Sequence, residues 1–177
     1  MISSKYDWQF ATNFTDEKFL KKAKKAGLEP AAASLLYQRG VQTEEALQEF
    51  LEPSLDQLHD PYDLHDMERA VERIRAAIEN YEQILIYGDY DADGMTSASI
   101  VKEALEQLGA ECQVYLPNRF TDGYGPNSSV YKYFIENQDI SLIITVDNGV
   151  AGLEAIELAQ SLGVDVIVTD HHSMPEE

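Results

Sequence analysis

The spacing of apolar residues changes character near residue 83 of this chain. Before that point it is helical, and the breaks fall where helix signals stand. Thr15 is placed to cap a helix that runs to Gly27, Pro30 opens a second that stops at Gly40, and Thr43 caps a third, EEALQEFL, which ends before Pro53. The stretch from Pro53 to Pro61 reads as a connection. Asp66 is then expected to cap a longer helix with Met67, Val71, Ile74, Ile78 and Tyr81 along one face. After residue 83 the apolar residues come instead in short continuous runs rich in β-branched residues: ILIYGD, CQVYLP, SLIITVD and VDVIVTD. Helical stretches near 97–108, 128–137 and 152–162 separate them. Strands without polar alternation, interleaved with helices, predict a parallel sheet buried on both faces. The expected fold is therefore α/β, a mostly parallel sheet with helices on both faces, preceded by a helical N-terminal segment. The boundary is expected near residue 80, giving 1–80 and 81–177. Only HHSMPEE follows the last strand, so the chain is expected to be the leading part of a longer protein.

Composition narrows the class of protein. A length of 177 residues suffices for one well-cored domain with a helical appendage, and 44% apolar residues is ordinary for a globular chain. No apolar run reaches the roughly 18 residues that a membrane span needs. MISSKYDWQF has no basic segment followed by an apolar one, so no secretory signal is expected, and the location reads as cytoplasmic. Cys112, the single cysteine, gives no disulfide framework. The balance of 13 basic against 32 acidic residues, a net charge of −19, changes the picture more. So acidic a chain repels a phosphate backbone at long range. If it handles nucleic acid, bound cations and a few placed basic groups must do the local work.

The candidate chemistry sits at the ends of the strand runs. ILIYGD leads into Asp89, Asp91 and Asp93 within GDYDADG, SLIITVD ends on Asp147 within VDNG, and VIVTD ends on Asp170, followed by His171 and His172. All C-terminal tips of a parallel sheet lie on one edge, where ligands bind. Residues far apart in sequence are thereby expected to converge. Several carboxylates in one place repel one another unless cations neutralise them. Carboxylate with imidazole suits Mn²⁺, Mg²⁺, Fe²⁺ or Zn²⁺, and the excess of oxygen favours Mn²⁺ or Mg²⁺. Taken singly, each motif has a plainer reading: D-x-D as a turn, VDNG as a strand and tight turn, His-His as a surface pair. Two other patterns fail. An EF-hand loop needs an acidic twelfth residue, and counting from Asp89 that position is Ile100. The dehalogenase-type D-x-D requires Thr or Val two residues past the second Asp, where Asp93 stands.

Together Asp89-Tyr90-Asp91-Ala92-Asp93-Gly94, Val146-Asp147-Asn148-Gly149 and Thr169-Asp170-His171-His172 resemble the first three motifs of the DHH phosphoesterases. The loop PNRFTDGYGPN from Pro117 to Asn127 and the leader containing LLYQRG, EALQEFLEP and DPYDLHDMERAVERI resemble the RecJ-type exonuclease branch in particular. The resemblance implies two ions, Mn²⁺ or Mg²⁺. Asp93, Asp147 and His171 would hold one, Asp91 and Asp147 the other, with Asp147 bridging and Asp89 nearby. His172 would face the scissile phosphate or support the ligands. Many relatives carry a His where this chain has Tyr87. Arg119, Tyr124 and Asn148 are the candidates for substrate phosphate, Tyr124 also for stacking on a base. The plainer reading of Arg119 is a surface loop tied to a carboxylate. The implied activity is 5′-to-3′ hydrolysis of single-stranded DNA in repair and recombination, with single-strand-binding protein and a helicase as partners and no membrane. A DHH phosphatase of short oligoribonucleotides or cyclic dinucleotides is the rival enzyme. A non-catalytic replication scaffold is the rival from another class, but such scaffolds lose ligands that this chain keeps. The fragment by itself is expected to be inactive.

Overall fold

A computed structural model describes residue 6 and residues 16–174 of the chain. The elements in order are helices α1 (Glu17–Lys25), α2 (Pro30–Gln38), α3 (Glu44–Leu51) and α4 (Met67–Glu79), then β1 (Gln83–Tyr87), α5 (Ala92–Gln107), β2 (Glu111–Tyr115), α6 (Ser128–Gln138), β3 (Ile140–Val146), α7 (Leu153–Ser161) and β4 (Asp165–Thr169). Two single-turn 3-10 helices, Leu55–Gln57 and Pro61–Asp63, lie before α4. The chain forms two compact units, Met1–Pro61 and Tyr62–Glu177.

In the first unit, capping groups set where the helices begin. The Asp16 carboxylate accepts from the amides of Lys18 and Phe19, and the Thr43 hydroxyl accepts from the amide of Ala46. The cap expected at Thr15 lies outside the described residues. Phe19, Ala23, Ala33 and Leu47 are buried together, one residue or two from each helix. The run Lys21, Lys22, Lys24 and Lys25 stays exposed around buried Ala23, and Lys22 pairs with Glu44 at 2.8 Å.

The second unit is an all-parallel sheet in the order β2-β1-β3-β4. Alternate positions of each strand feed opposite faces, except that a register irregularity at the start of β3 puts Ile140 on the same face as Ile143, and both faces are covered. On one, Ile84, Ile86, Leu142, Ile144 and Val146 pack with Ala77 of α4 and with Ala98 and Leu105 of α5. On the other, Leu85, Tyr87, Ile140 and Ile143 pack with Tyr131 of α6 and Ala155 and Ala159 of α7. Helix α4 therefore belongs with the sheet, and the compact units part at Pro61, ahead of the boundary expected near residue 80. Arg73 holds α4 there by donating to Asp165 and Glu82, at 2.6 Å each, and to the carbonyl of Ser141 at 3.2 Å. Asp66 occupies the N-cap position in a left-handed conformation without a side-chain cap bond, and Tyr81 lies past the helix end and exposed. Asp66 thus stands where a cap was expected but makes no capping bond, and Tyr81 is not on the buried face that its spacing suggested.

Strand order decides where a site can form. β1 is flanked by β2 and β3, so the connection from β1 leaves in one direction and the chain later returns on the other side. Such a switch point leaves a crevice beyond the strand ends. Here it lies between the tips of β1 and β3, the strands that end in Tyr87-Gly88-Asp89 and Val146-Asp147.

Candidate metal centre

Each acidic side chain is placed by a local feature of its strand end. Asp91 is the N-cap of α5, its carboxylate accepting from the amides of Asp93 and Gly94, both at 3.0 Å. That cap starts the helix at Ala92, earlier than the apolar pattern alone suggests, and puts the DADG segment in the first turn. Gly94 is required there, because a Cβ would lie 2.4 Å from the backbone nitrogen of Asp89. The helix start is thereby pressed against the tip of β1. Asp89 is 3% exposed and Asp147 8%. Asp147 has φ 62°, a left-handed conformation that costs a non-glycine residue about 1–2 kcal/mol.

Two groups of side chains have ligand atoms all within 4.8 Å of one another: Asp89 with Asp91 and Asp147, and Asp147 with His171 and His172. Asp147 belongs to both. The Nε2 of His171 is 2.9 Å from the Asp147 carboxylate, while the ring itself is largely exposed. The Nδ1 of His172 is 2.7 Å from Asp170, whose carboxylate also accepts from the amides of Val150 and His172 at 3.0 Å. Asp170 is thus a buried anchor for the His172 ring. Asp93 stands in neither group. It lies one position into α5 and exposed, with its amide donating to Asp91, so the implied set of Asp93, Asp147 and His171 is not gathered here; His172 takes the third place.

The electrostatics fit a cation. Burial pushes the Asp89 carboxyl above its ordinary value, and the negative charges of Asp91 and Asp147 push in the same direction. Burial acts on Asp170 in the same sense, but the amides of Val150 and His172 and the His172 ring outweigh it and hold Asp170 low. His172 is raised by its bond to Asp170. Three carboxylates and two imidazoles, with Asp147 common to both groups, make a set that suits Mn²⁺ or Mg²⁺.

The loop between β2 and α6 overhangs this edge. The Tyr115 hydroxyl and the Asn118 amide both donate to Asp122, at 2.7 Å, and the Asn127 amide donates to the Asp122 carbonyl at 2.9 Å. Tyr87 donates its hydroxyl to the carbonyl of Gly125 at 3.0 Å and is completely buried against Tyr115 and Tyr131. The side chain at this position therefore pins the loop and offers no metal ligand. Tyr124, from the same loop, sits 3.3 Å from the ring nitrogens of His172 and edge-on to Tyr90. Arg119 lies over the Tyr90 ring at 4.8 Å and makes no ion pair among the described residues. A carboxylate tie, the plainer reading of Arg119, is thus not what holds it.

Asn148 differs from its expected place. It is fully buried, with its amide donating to the carbonyls of Tyr87 and Val146, so it presents no surface to a substrate phosphate. Sequence reasoning passed over Tyr90, the platform for Arg119, and gave Asp170 no specific role. Tyr90 has the clearer signal of the two, an aromatic residue between two candidate ligands.

Residues 83–177, more than half of the chain, match the family model described as "DHH family, N-terminal domain". Over 172 residues the chain is 41% identical to the single-stranded-DNA-specific exonuclease RecJ of Bacillus subtilis, covering 97% of this chain and 22% of that protein. The chain thus spans about a fifth of that relative's length. Among solved structures, RecJ of Thermus thermophilus in complex with Mn²⁺ superposes with a TM-score of 0.63 at 27% identity, covering 92% of this chain and 22% of that one. An exonuclease RecJ bound to manganese gives 0.60 at 32% identity, covering 64% and 29%. With an all-parallel sheet, acidic residues at the tips of β1 and β3 and a His pair just past β4, the chain belongs to the DHH family.

Proposed function

We propose that this chain is part of a RecJ-type, metal-dependent exonuclease that hydrolyses single-stranded DNA from the 5′ end, in the cytoplasm, in repair and recombination. Single-strand-binding protein and a helicase are its expected partners. The observation that carries the reading is Asp147, one nearly buried carboxylate shared by two ligand groups. Asp89, Asp91 and Asp147 would hold one Mn²⁺ or Mg²⁺, and Asp147 with His171 and His172 a second. Ions bound there supply charge neutralisation at a phosphoryl oxygen and a more acidic water. The protein's own part is to hold these donors in place, with Asp170 orienting His172 and Tyr124 beside it. Arg119, exposed over Tyr90, offers a planar cation to a phosphate of the strand and Tyr124 a face for a base. The decisive test is Asp147→Ala in the full-length protein, followed by Mn²⁺ calorimetry and release of nucleotides from 5′-labelled single-stranded DNA. Both metal binding and cleavage are expected to fall to a few per cent or less. Retention of either at wild-type level would remove the shared-ligand role.

A further inference from the structure

Asn148 is a buried amide at an expensive position. It is 0% exposed, and its Oδ1 has no hydrogen-bond partner among the described residues. A buried acceptor left unmade costs roughly 1–3 kcal/mol, which an apolar residue there would avoid. What the amide contributes is on its other side. Its Nδ2 donates to the carbonyl of Val146 at 2.9 Å, directly before Asp147, and to the carbonyl of Tyr87 at 3.2 Å, two residues before Asp89. One side chain thus ties the ends of β1 and β3 together on the exit side of the strands. The turn around it is held as tightly. The Thr145 hydroxyl donates to the backbone carbonyl of Asn148 at 2.7 Å, and Asp147 is kept left-handed at φ 62°. Gly149 has φ 127° where a Cβ would lie 2.6 Å from that same hydroxyl. Asp89 and Asp147, the carboxylates at the two tied ends, are members of one ligand group.

We propose that Asn148 is a positioning residue: its amide fixes the spacing of Asp89 and Asp147, and with it the affinity of the centre for a divalent cation. This rests on the metal reading given above. The backbone of β1 otherwise meets β3 through ladder bonds that end at Tyr87 and Thr145, so beyond them nothing in the ladder itself sets the distance between the two acidic tips. Residues that orient metal ligands from outside the coordination shell typically change affinity by about 10–100-fold when removed.

The test is Mn²⁺ calorimetry on the full-length protein carrying Asn148→Leu or Asn148→Ser, with the melting temperature of each measured in chelator and backbone hydrogen exchange followed over residues 87–89 and 147–149. Asn148→Leu is expected to weaken Mn²⁺ binding at least about tenfold. Asn148→Ser, which keeps one donor, should recover part of that affinity, and exchange should quicken at both strand ends without metal. A purely structural residue would lower the melting temperature yet leave the Kd of the folded protein unchanged, and that result overturns the proposal. If Asn148→Leu does not fold, Thr145→Val removes the donor to the Asn148 carbonyl, and unchanged Kd in both it and Asn148→Ser overturns the proposal equally. A wild-type protein that binds no Mn²⁺ would instead sink the metal reading, while exchange at the two strand ends would still report whether Asn148 ties them.

Discussion

Asp89 and Arg119 show how much a single side chain's surroundings matter. Asp89 is nearly buried beside two further carboxylates, so its carboxyl is raised and its charge works against the fold. The stability linked to this group is full below the unfolded value of about 3.9 and is lost as pH rises through the higher folded value. Asp89→Asn is therefore expected to melt a few degrees higher than wild type at pH 7 in chelator, with the gain disappearing near pH 4. In Mn²⁺ the order should reverse, because the variant lacks one of the proposed ligands. A lower melting temperature in chelator at pH 7 would mean that the charge is already compensated. Arg119 presents a guanidinium that rests on an aromatic ring and forms no ion pair among the described residues. In the full-length protein, Arg119→Ala should weaken single-stranded DNA binding and reduce the salt slope by about 0.7, the contribution of one phosphate contact. Mn²⁺ affinity should not change, and an unaltered slope would place Arg119 outside the DNA path.

At the scale of elements, the start of α5 is the critical junction. Asp91 caps it, and Gly94 lets it approach the backbone of Asp89 to a distance no side chain tolerates. Gly94→Ala would set a methyl 2.4 Å from a backbone nitrogen that has no freedom to yield. Overpacking of this kind costs typically 1–3 kcal/mol, on the order of a few degrees in melting temperature. Because α5 carries Asp91, Mn²⁺ affinity should fall as well. A variant that melts lower yet binds Mn²⁺ normally would show that the helix start and the metal centre are independent. The existence and order of these elements were legible in the chain, since continuous β-branched runs separated by helical spacing leave little choice. Their ends were less so. The start of α5 was set by an Asp carboxylate capping its own chain, and Tyr81, in phase with the helix, lies past its end at φ 56°.

For the whole molecule, charge and topology act together. A net charge of −19 includes a knot of carboxylates at one edge of a parallel sheet, so cations that neutralise the knot should stabilise the fold. At a hundredfold excess over Kd, binding contributes about 2.7 kcal/mol, or roughly 5–10 °C for a chain of this size. Millimolar Mn²⁺ is expected to raise the melting temperature accordingly, and Na⁺ at equal ionic strength should not. A rise that Na⁺ reproduces would point to general screening of the acidic surface. The sequence by itself determined the class of fold and the chemistry at its strand ends, because runs of Val, Ile and Leu must be covered on both faces and acidic residues right after them must meet at one edge. Only the tertiary structure decided which residues share a site. Sequence spacing says that Asp89, Asp91 and Asp93 are neighbours, but in the fold Asp93 is exposed in the first turn of α5 and stands in neither ligand group. Likewise VDNG announces a turn, yet whether Asn148 faces substrate or is buried depends on the β1 carbonyl that β3 finds beside it. That partner, 61 residues away, is fixed by strand order and invisible to local pattern.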